Sequence, residues 1–502
     1  MNKEWKEATL FQALLPIIAL IGLLVLNIKF IDYFGGDALN GANQMALIFA
    51  SAIASVIAIK LGRNWQHVRR FIVKSIGSAM PSMLILFLIG SLSGTWVISG
   101  IVPTLIYYGL QILNPTYFLV VSVIISSIIS LATGSSWSTI ATIGIALFGI
   151  GKALGIDEGL VAGAIISGAY FGDKISPLSD TTNLAPAMAG TDLFTHVYYM
   201  LYTTIPSLII TLIIFFIIGL NIESQASATN IAEMITALES TFYISPILFL
   251  VPIFLVIIII KKMPPVPALF LGTIGGALFA VIFQPQIIKE IAGFQGNYAL
   301  TSYIAVMKTM FGSISISTPN HFVNELLATN GMSGMLNTIW LILTAMVFSG
   351  VMESAGLLLT LANSIVKYAK STGSLVASTV ATSIFMNTTA SDQYISIVVP
   401  GRMYAKTYEK MGIKPEVLSR ALEDGGTVTS VLVPWNTCGA VQSTVLGVPT
   451  LVYAPYTFFS IISPFMSILF AYLNIKIRRF TPEEREAIRI ENEKNEAKKD
   501  DN

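Results

Sequence analysis

The chain has 502 residues, of which 54% are hydrophobic and only 11% are charged, and its formal net charge is +1. Soluble domains carry about 25% charged residues, so this composition excludes a water-facing surface over most of the chain and makes lipid its solvent. The small net charge gives no reason to expect a nucleic acid partner. The single cysteine, Cys438, excludes a disulfide framework and a cysteine-based metal site.

Apolar stretches recur along the whole chain, and a helix needs about 20 apolar residues to cross the hydrocarbon core. The sequence therefore predicts an all-α, polytopic membrane protein with about 12–14 transmembrane helices. In chain order the predicted spans are 10–31, 44–60, 76–98, 100–113, 117–150, 159–190, 197–220, 244–260, 264–284, 335–355, 357–372, 374–400, 417–440 and 457–475. The stretches 100–113 and 357–372 are short enough to be re-entrant.

Basic residues cluster in four of the connections, and such clusters mark the cytoplasmic side. They follow the second, eighth, twelfth and last predicted spans: Lys60, Arg63, Arg69, Arg70 and Lys74; Lys261 and Lys262; Arg402, Lys406, Lys410 and Lys414; Lys476, Arg478 and Arg479. A path of fourteen spans with both termini in the cytoplasm places all four clusters inside. We therefore expect a multi-pass protein of a bacterial inner membrane.

An internal repeat divides the chain. A shift of 257 positions lays residues 131–183 on 388–440 without a gap. The loops at matching positions differ in charge, because 401–416 is mainly basic and 151–158 is mixed. This predicts an inverted-topology repeat, a plan common among secondary transporters. The predicted parts are N-terminal scaffold spans 1–75, a first repeat 76–220, connecting spans and interfacial segments 221–331, a second, inverted repeat 332–475 and a charged cytoplasmic tail 476–502.

The stretches 117–150 and 159–190 are too long to be ordinary spans. Each would extend for about 50 Å as a continuous helix, whereas the hydrocarbon core is about 30 Å thick. The first has Thr133-Gly134-Ser135-Ser136 at its middle, and the second has the polar run 172–183, which includes Pro177. Polar and helix-breaking residues at these points predict broken helices. Their free carbonyl and hydroxyl oxygens suit an alkali cation.

Carboxylates in these breaks are the strongest functional candidates, because charge inside a membrane is costly and is retained mainly for function. Asp173 could instead pair with Lys174, and Asp180 could cap the following half-helix. Glu353 lies at the end of a span, where a surface role is equally reasonable. The candidate ion and proton ligands are Asp173 and Asp180, which would bind Na+, with Ser176, Thr181, Asn183, Thr133, Ser135, Asp392 and Asp424. Candidate substrate contacts are Trp137, Glu353, Glu423, Tyr394, Trp435 and Asn436.

A buried carboxylate favours its protonated form through desolvation and its ionised form beside a cation. Such a site holds H+ or Na+, and each expels the other. If the site changes sides only when occupied, exchange is obligatory. We expect no organic cofactor, with Na+ as the transported ion.

Four motifs resemble the NhaC family of Na+/H+ antiporters, and the resemblance extends over roughly residues 10–475. They are the segments 132–137, 163–174, 176–186 and 433–439, which read ATGSSW, GAIISGAYFGDK, SPLSDTTNLAP and VPWNTCG. The resemblance implies an antiporter of the ion transporter superfamily, a homodimer with a scaffold and a moving transport part. It also implies that ions are handled by Asp173, Ser176, Asp180, Thr181 and Asn183.

Four classes of function remain to be weighed. The first is Na+/H+ exchange, and the second is exchange of a small organic anion or amino acid on the same fold, since the family has members that resemble malate/lactate exchangers. An intramembrane enzyme is disfavoured because the sequence has no His-Glu-x-x-His motif. A passive channel is disfavoured by carboxylates in the breaks of both repeats. On the first hypothesis, Asp173→Asn and Asp180→Asn each abolish coupled exchange.

Overall fold

The computed structural model describes residues 6–30, 41–112, 114–222, 228–294, 296–367 and 370–486. The regular structure in these ranges is helical, and β pairing is limited there to two isolated bridges, Ile314–Thr329 and Ile413–Arg479. The predicted all-α class is confirmed. Most of the predicted tail 476–502 lies outside the described residues.

The α-helices of the described residues follow one another with few long connections. The first twelve are α1 Leu10–Lys29, α2 Ala42–Lys60, α3 Trp65–Ile98, α4 Ile101–Ile112, α5 Pro115–Thr133, α6 Ser136–Thr139, α7 Ile145–Ala153, α8 Glu158–Ile175, α9 Asp180–Ala189, α10 Leu193–Leu220, α11 Ala228–Thr241 and α12 Leu250–Ile260. The next twelve are α13 Pro265–Phe283, α14 Pro285–Ala292, α15 Tyr298–Phe311, α16 His321–Leu326, α17 Leu336–Ser354, α18 Leu357–Val366, α19 Thr372–Thr389, α20 Ile395–Lys410, α21 Pro415–Leu422, α22 Thr437–Leu446, α23 Thr450–Tyr453 and α24 Phe458–Tyr472. The π-helices Ile140–Gly144 and Glu423–Thr427 join α6 to α7 and extend α21.

Seven helices of the described residues are long and apolar enough to cross a membrane, and two bent pairs raise the number to nine. The seven are Leu10–Asn27, Ala42–Lys60, Trp65–Ile98, Pro115–Thr133, Leu193–Leu220, Pro265–Phe283 and Met332–Ser354. One bent pair joins Ile231–Thr241 to Pro246–Ile260 at 86°, where the sequence predicts an interfacial segment before a span. The other segments predicted to cross are built from shorter, interrupted helices.

The predicted break in 117–150 is present, but the prediction of a single span there is wrong. Helix α5 ends at Thr133, and Gly134 adopts a left-handed conformation with φ of 69°. The chain then runs back along α8, because Ser136 is hydrogen-bonded to Asp173 and Gly151 packs against Val161. Segment 115–153 is therefore a helical hairpin. Polar residues signal an interruption, whereas tertiary packing decides whether the chain continues or reverses there.

The predicted break in 159–190 is confirmed, and here the chain continues. Helix α8 ends at Ile175 and α9 begins at Asp180, with Pro177 between them. Helices α5 and α8 lie side by side because glycines of α8 face the α5 backbone. A Cβ at Gly168 would lie 2.2 Å from the carbonyl oxygen of Val123, so glycine is required at this contact.

The second copy repeats these elements at the shift of 257. Helix α19 ends at Thr389, and Ser391, the counterpart of Gly134, is also left-handed, with φ of 57°. The chain reverses again, since the hydroxyl groups of Thr382 and Tyr404 lie 2.9 Å apart across α19 and α20. A second interrupted helix follows, made of α21, its π-helical extension and α22.

Helix α24 shows that the two copies have opposite directions. Tyr456, just before α24, packs against Gly163 near the start of α8, whereas Tyr472 at its end packs against Gly373 at the start of α19. Helices α8 and α19 therefore begin at opposite ends of α24. Helix α5 runs parallel to α8, because Gly168 faces Val123 and Gly172 faces Ser127, so α5 and its counterpart α19 have opposite directions. This confirms the predicted inverted-topology repeat.

Candidate functional site

A cavity of about 820 Å³ lies where the interrupted segments meet. Its walls are the turn of the first hairpin (133–138), the α8–α9 break (177–183), the middle of α3 (78–85) and the turn between α12 and α13. The second copy contributes Gln393, Tyr394 and Thr437. Exposed Lys262 lies in the α12–α13 turn, and exposed Asp180 lies in the break, so the cavity opens to solvent.

Asp173 occupies the inner wall of the cavity and is only 7% exposed. Its Oδ2 accepts hydrogen bonds from the backbone N of Ser136 at 3.2 Å and from Ser136 Oγ at 2.6 Å. The backbone donor is at the N-terminus of α6, where the helix dipole favours a negative charge. The sequence of α8 therefore brings a carboxylate to the tip of the first hairpin.

Polar side chains in the α8–α9 break bind its freed carbonyl groups. Thr182 Oγ1 donates to the carbonyl oxygens of Asp173 at 3.1 Å and Lys174 at 2.9 Å. Asn183 Nδ2 donates to Pro177 O at 2.9 Å, and Ser176 Oγ donates to Leu131 O at 2.8 Å. These bonds stabilise the unwound backbone, because buried peptide groups need hydrogen-bond partners.

The first copy supplies most of the predicted ligands that reach the cavity. Thr133, Ser135, Asp180, Thr181 and Asn183 line it together with Asp173. Ser135 also caps α6 by accepting from Ser138 N at 3.2 Å. Ser176 is buried and is absent from the cavity lining, so the structure gives it a role in packing the break against α5.

The second copy supplies mainly structural contacts near the cavity. Asp392, the counterpart of Ser135, is 4% exposed and accepts a hydrogen bond at 2.9 Å from the backbone N of Ile395, the first residue of α20. Trp435 Nε1 donates to Thr388 O at 2.7 Å, and Asn436 Nδ2 donates to Asn387 O at 3.1 Å. These three residues are outside the cavity lining, whereas the predicted aromatic residues Trp137 and Tyr394 are part of it.

Two residues predicted from the sequence, Glu353 and Asp424, lie outside the cavity lining. Glu353 forms an exposed ion pair with Lys74 at 3.1 Å, so the structure favours the surface role for it. Asp424 is fully buried and forms an ion pair with Lys174, which also donates to Ser463 Oγ at 3.0 Å. The pairing of Asp173 with Lys174, considered from the sequence, is therefore replaced by a pairing with Asp424.

Sequence reasoning missed the role of Lys174 and of Arg420. Arg420 is fully buried and stacks on Tyr199, with its guanidinium carbon 4.6 Å from the ring centroid. A usable signal was the charge spacing in 420–424, which puts Arg420, Glu423 and Asp424 within about one helical turn inside an apolar segment. The partner of Asp424, 250 residues away along the chain, has no local signal.

Comparisons with known proteins show which sequences the chain is similar to. Residues 168–475 match the sequence profile of the Na+/H+ antiporter family. The Na+/H+ antiporter NhaC of Alkalihalophilus pseudofirmus is 38% identical over 436 residues, which cover 86% of this chain and 91% of that protein. The malate-2H+/Na+-lactate antiporter of Bacillus subtilis is 35% identical, covering 94% and 96%. The arginine/ornithine antiporter ArcD of Halobacterium salinarum is 33% identical, covering 95% of each chain.

Proposed function

The chain belongs to the Na+/H+ antiporter family, and from this premise we propose that it exchanges Na+ for H+ across a bacterial cytoplasmic membrane by alternating access. The observation that carries the proposal is the position of Asp173. Its carboxylate is almost buried, lies between two interrupted segments and forms part of the wall of a cavity that is open to solvent. Exposed Asp180 and the hydroxyl of Thr181 line the same cavity, so oxygen ligands for Na+ are available there.

Competition at this carboxylate provides the coupling. With Na+ bound, the carboxylate is ionised; without it, the buried negative charge in this region favours uptake of a proton. Each ion therefore displaces the other, and a site that turns only when it is occupied exchanges them. We propose that the cavity faces the cytoplasm, because Lys262, in one of the basic clusters, lines it. The homodimer implied by the family resemblance stays a prediction.

The function is tested with purified protein in liposomes that carry a pH gradient. We expect Na+ alone to dissipate the gradient, and we expect the effect to saturate with Na+ concentration. Liposomes without protein are the control. If Na+ moves no protons under any gradient, the proposal fails.

A second candidate is exchange of a small organic anion or amino acid on the same fold. The cavity volume of about 820 Å³ is far larger than a single Na+ needs, and Trp137, Tyr394 and Lys262 could hold an organic body and its carboxylate. Two relatives that are similar to this chain over nearly its whole length are named as a malate-2H+/Na+-lactate antiporter and an arginine/ornithine antiporter. In the same liposomes, proton movement that requires an added organic acid or amino acid favours this function over the first.

The inverted repeat supplies the proposed conformational change. Helices α3 and α9 both line the open cavity, at Pro81 and Asn183 for example. Their counterparts in the second copy, α17 and α22, are in contact, and the hydroxyl groups of Thr338 and Thr444 are hydrogen-bonded. Exchanging the conformations of the two copies closes the first gap and opens the second. The Thr338–Thr444 contact is then the gate on the opposite face.

A cross-link across this gate should stop exchange. We expect Thr338→Cys/Thr444→Cys, in a Cys438→Ser background, to form a disulfide, because the two hydroxyl groups are already in contact. Oxidation should lower the exchange rate more than about tenfold, which corresponds to about 1.4 kcal/mol, and reduction should restore it. The single variant Thr338→Cys, treated identically, should be unaffected. Full exchange by fully cross-linked protein would exclude this gate.

A further inference from the structure

A group of buried ionisable side chains lies next to Asp173, outside the lining of the cavity. Lys174 and Asp424 are fully buried and ion-paired, and Ser463 Oγ donates to the same Asp424 carboxylate. Thr203 Oγ1 lies 3.5 Å from its second oxygen. Asp424 is thus provided with partners. Its neighbour in the π-helix, Glu423, is not.

Glu423 is 0% exposed, and neither of its carboxyl oxygens has a hydrogen-bond partner among the described residues. The neighbouring donor is the hydroxyl of Thr427, one turn later, which interacts with the carboxyl group of Glu423 but does not form a hydrogen bond of normal geometry with it. An ionised carboxylate without donors costs several kcal/mol in such a place, whereas a protonated carboxyl group is neutral. This environment therefore favours the protonated form of Glu423 over the ionised form.

The charges around Glu423 indicate that this proton can be released when another positive charge binds nearby. The charged groups that interact with Glu423 are Lys174, Asp173 and Asp424, and Arg420 lies one turn earlier on α21. On α9, which also packs against the π-helix, the charged residue is Asp180. With Asp180 in solvent, three carboxyl groups share two buried cationic side chains. One further positive charge, a proton or a bound Na+, balances them.

A proton fits Glu423 better than Na+ does. Sodium needs several oxygen ligands around it, and the side chains of Glu423 and Thr427 supply three oxygens. Glu423 is absent from the lining of the cavity of about 820 Å³, whereas Asp173 is part of that lining. A proton needs no such space. Na+ therefore belongs at Asp173, and the compensating proton belongs at Glu423.

We propose that Glu423 is a proton-binding site distinct from the cavity carboxylates, loaded when Asp173 is free of Na+ and emptied when Na+ binds there. This inference rests on the proposed Na+/H+ exchange. Na+ at Asp173 supplies the positive charge that the group lacks, so the ionised form of Glu423 is favoured and its proton is released to the medium. By linkage, a proton on Glu423 weakens Na+ binding by the same factor.

The experiment measures protons released when Na+ is added to the purified, detergent-solubilised protein in weakly buffered solution with a pH indicator. Glu423→Gln keeps the shape of the neutral side chain but cannot release a proton. We expect this variant to bind Na+ and to release about one proton fewer per Na+ than the unmodified protein. In liposomes, the pH dependence of its exchange should become flatter.

The matched control is Glu416→Gln, on α21, which the π-helix that contains Glu423 extends. Glu416 is also nearly buried, but it has a partner, Arg478, at 3.2 Å. This variant should release as many protons as the unmodified protein. Unchanged proton release by Glu423→Gln would overturn the inference and identify Glu423 as a permanently neutral packing group. Weaker Na+ binding with proton release per bound Na+ preserved would overturn it too, by making Glu423 a cation ligand. Failure of the proposed function itself would appear separately, as no Na+-dependent proton release by the unmodified protein.

Discussion

Asp173→Asn is expected to reduce Na+-dependent proton movement in liposomes by about 100-fold or more. The change keeps the size of the side chain and its contact with Ser136, which donates to the carboxylate through both N and Oγ. It removes the negative charge that Na+ and H+ share. Losing one partner of a buried charge interaction costs about 2–5 kcal/mol, and about 1.4 kcal/mol corresponds to each factor of ten.

The matched control is Asp157→Asn, at the other end of α8. Asp157 is exposed and caps the helix by accepting from Leu160 N at 3.0 Å, a role that asparagine performs equally well. Its exchange should be unchanged. Asp180→Asn should also lower exchange, but less than Asp173→Asn, because Asp180 is exposed and its loss removes a solvated ligand. Normal exchange by Asp173→Asn, with the protein properly inserted, would remove this carboxylate from the mechanism.

The interruptions of the helices could be predicted from sequence because their causes are local. Gly134 permits the left-handed turn, Pro177 ends α8, and hydroxyl and amide side chains satisfy the freed carbonyl groups nearby. The repeat could also be predicted, because residues that fix a turn recur at the same spacing in both copies. Gly155 and Gly412 are such a pair, and their φ angles are nearly the same, 71° and 69°.

The reversal at Gly134 could not be predicted in this way. A left-handed residue ends a helix, but the direction taken afterwards depends on the return of Ser136 to Asp173 and on the packing of Gly151 against Val161. The burial of Asp424 likewise depends on Lys174 in the other repeat. Inter-repeat contacts of this kind leave no periodic pattern in either segment.

Lys174→Met is expected to destabilise the protein more than any exposed charge deletion. Lys174 and Asp424 are both fully buried, so removal of the ammonium group leaves a carboxylate without its cation in a medium of low dielectric constant. Breaking a buried pair in this way costs about 3–5 kcal/mol. We expect a lower midpoint of thermal unfolding for the purified protein in detergent, measured by tryptophan fluorescence.

The double variant Lys174→Met/Asp424→Leu should recover most of this loss, because two apolar side chains can replace a buried ion pair with little change in stability. The matched control is Lys74→Met, which breaks the exposed pair with Glu353; the side chain of Lys74 is 69% exposed, and such pairs contribute about 0–1 kcal/mol.

The double variant also separates stability from transport. If it is stable and still exchanges Na+ for H+ with unchanged pH dependence, the pair only holds α8 against α21. If it is stable but has lost the pH dependence, Lys174 and Asp424 set the charge balance on which proton release depends. A double variant as unstable as Lys174→Met would contradict the charge argument, since no unpaired charge would then remain to explain the loss.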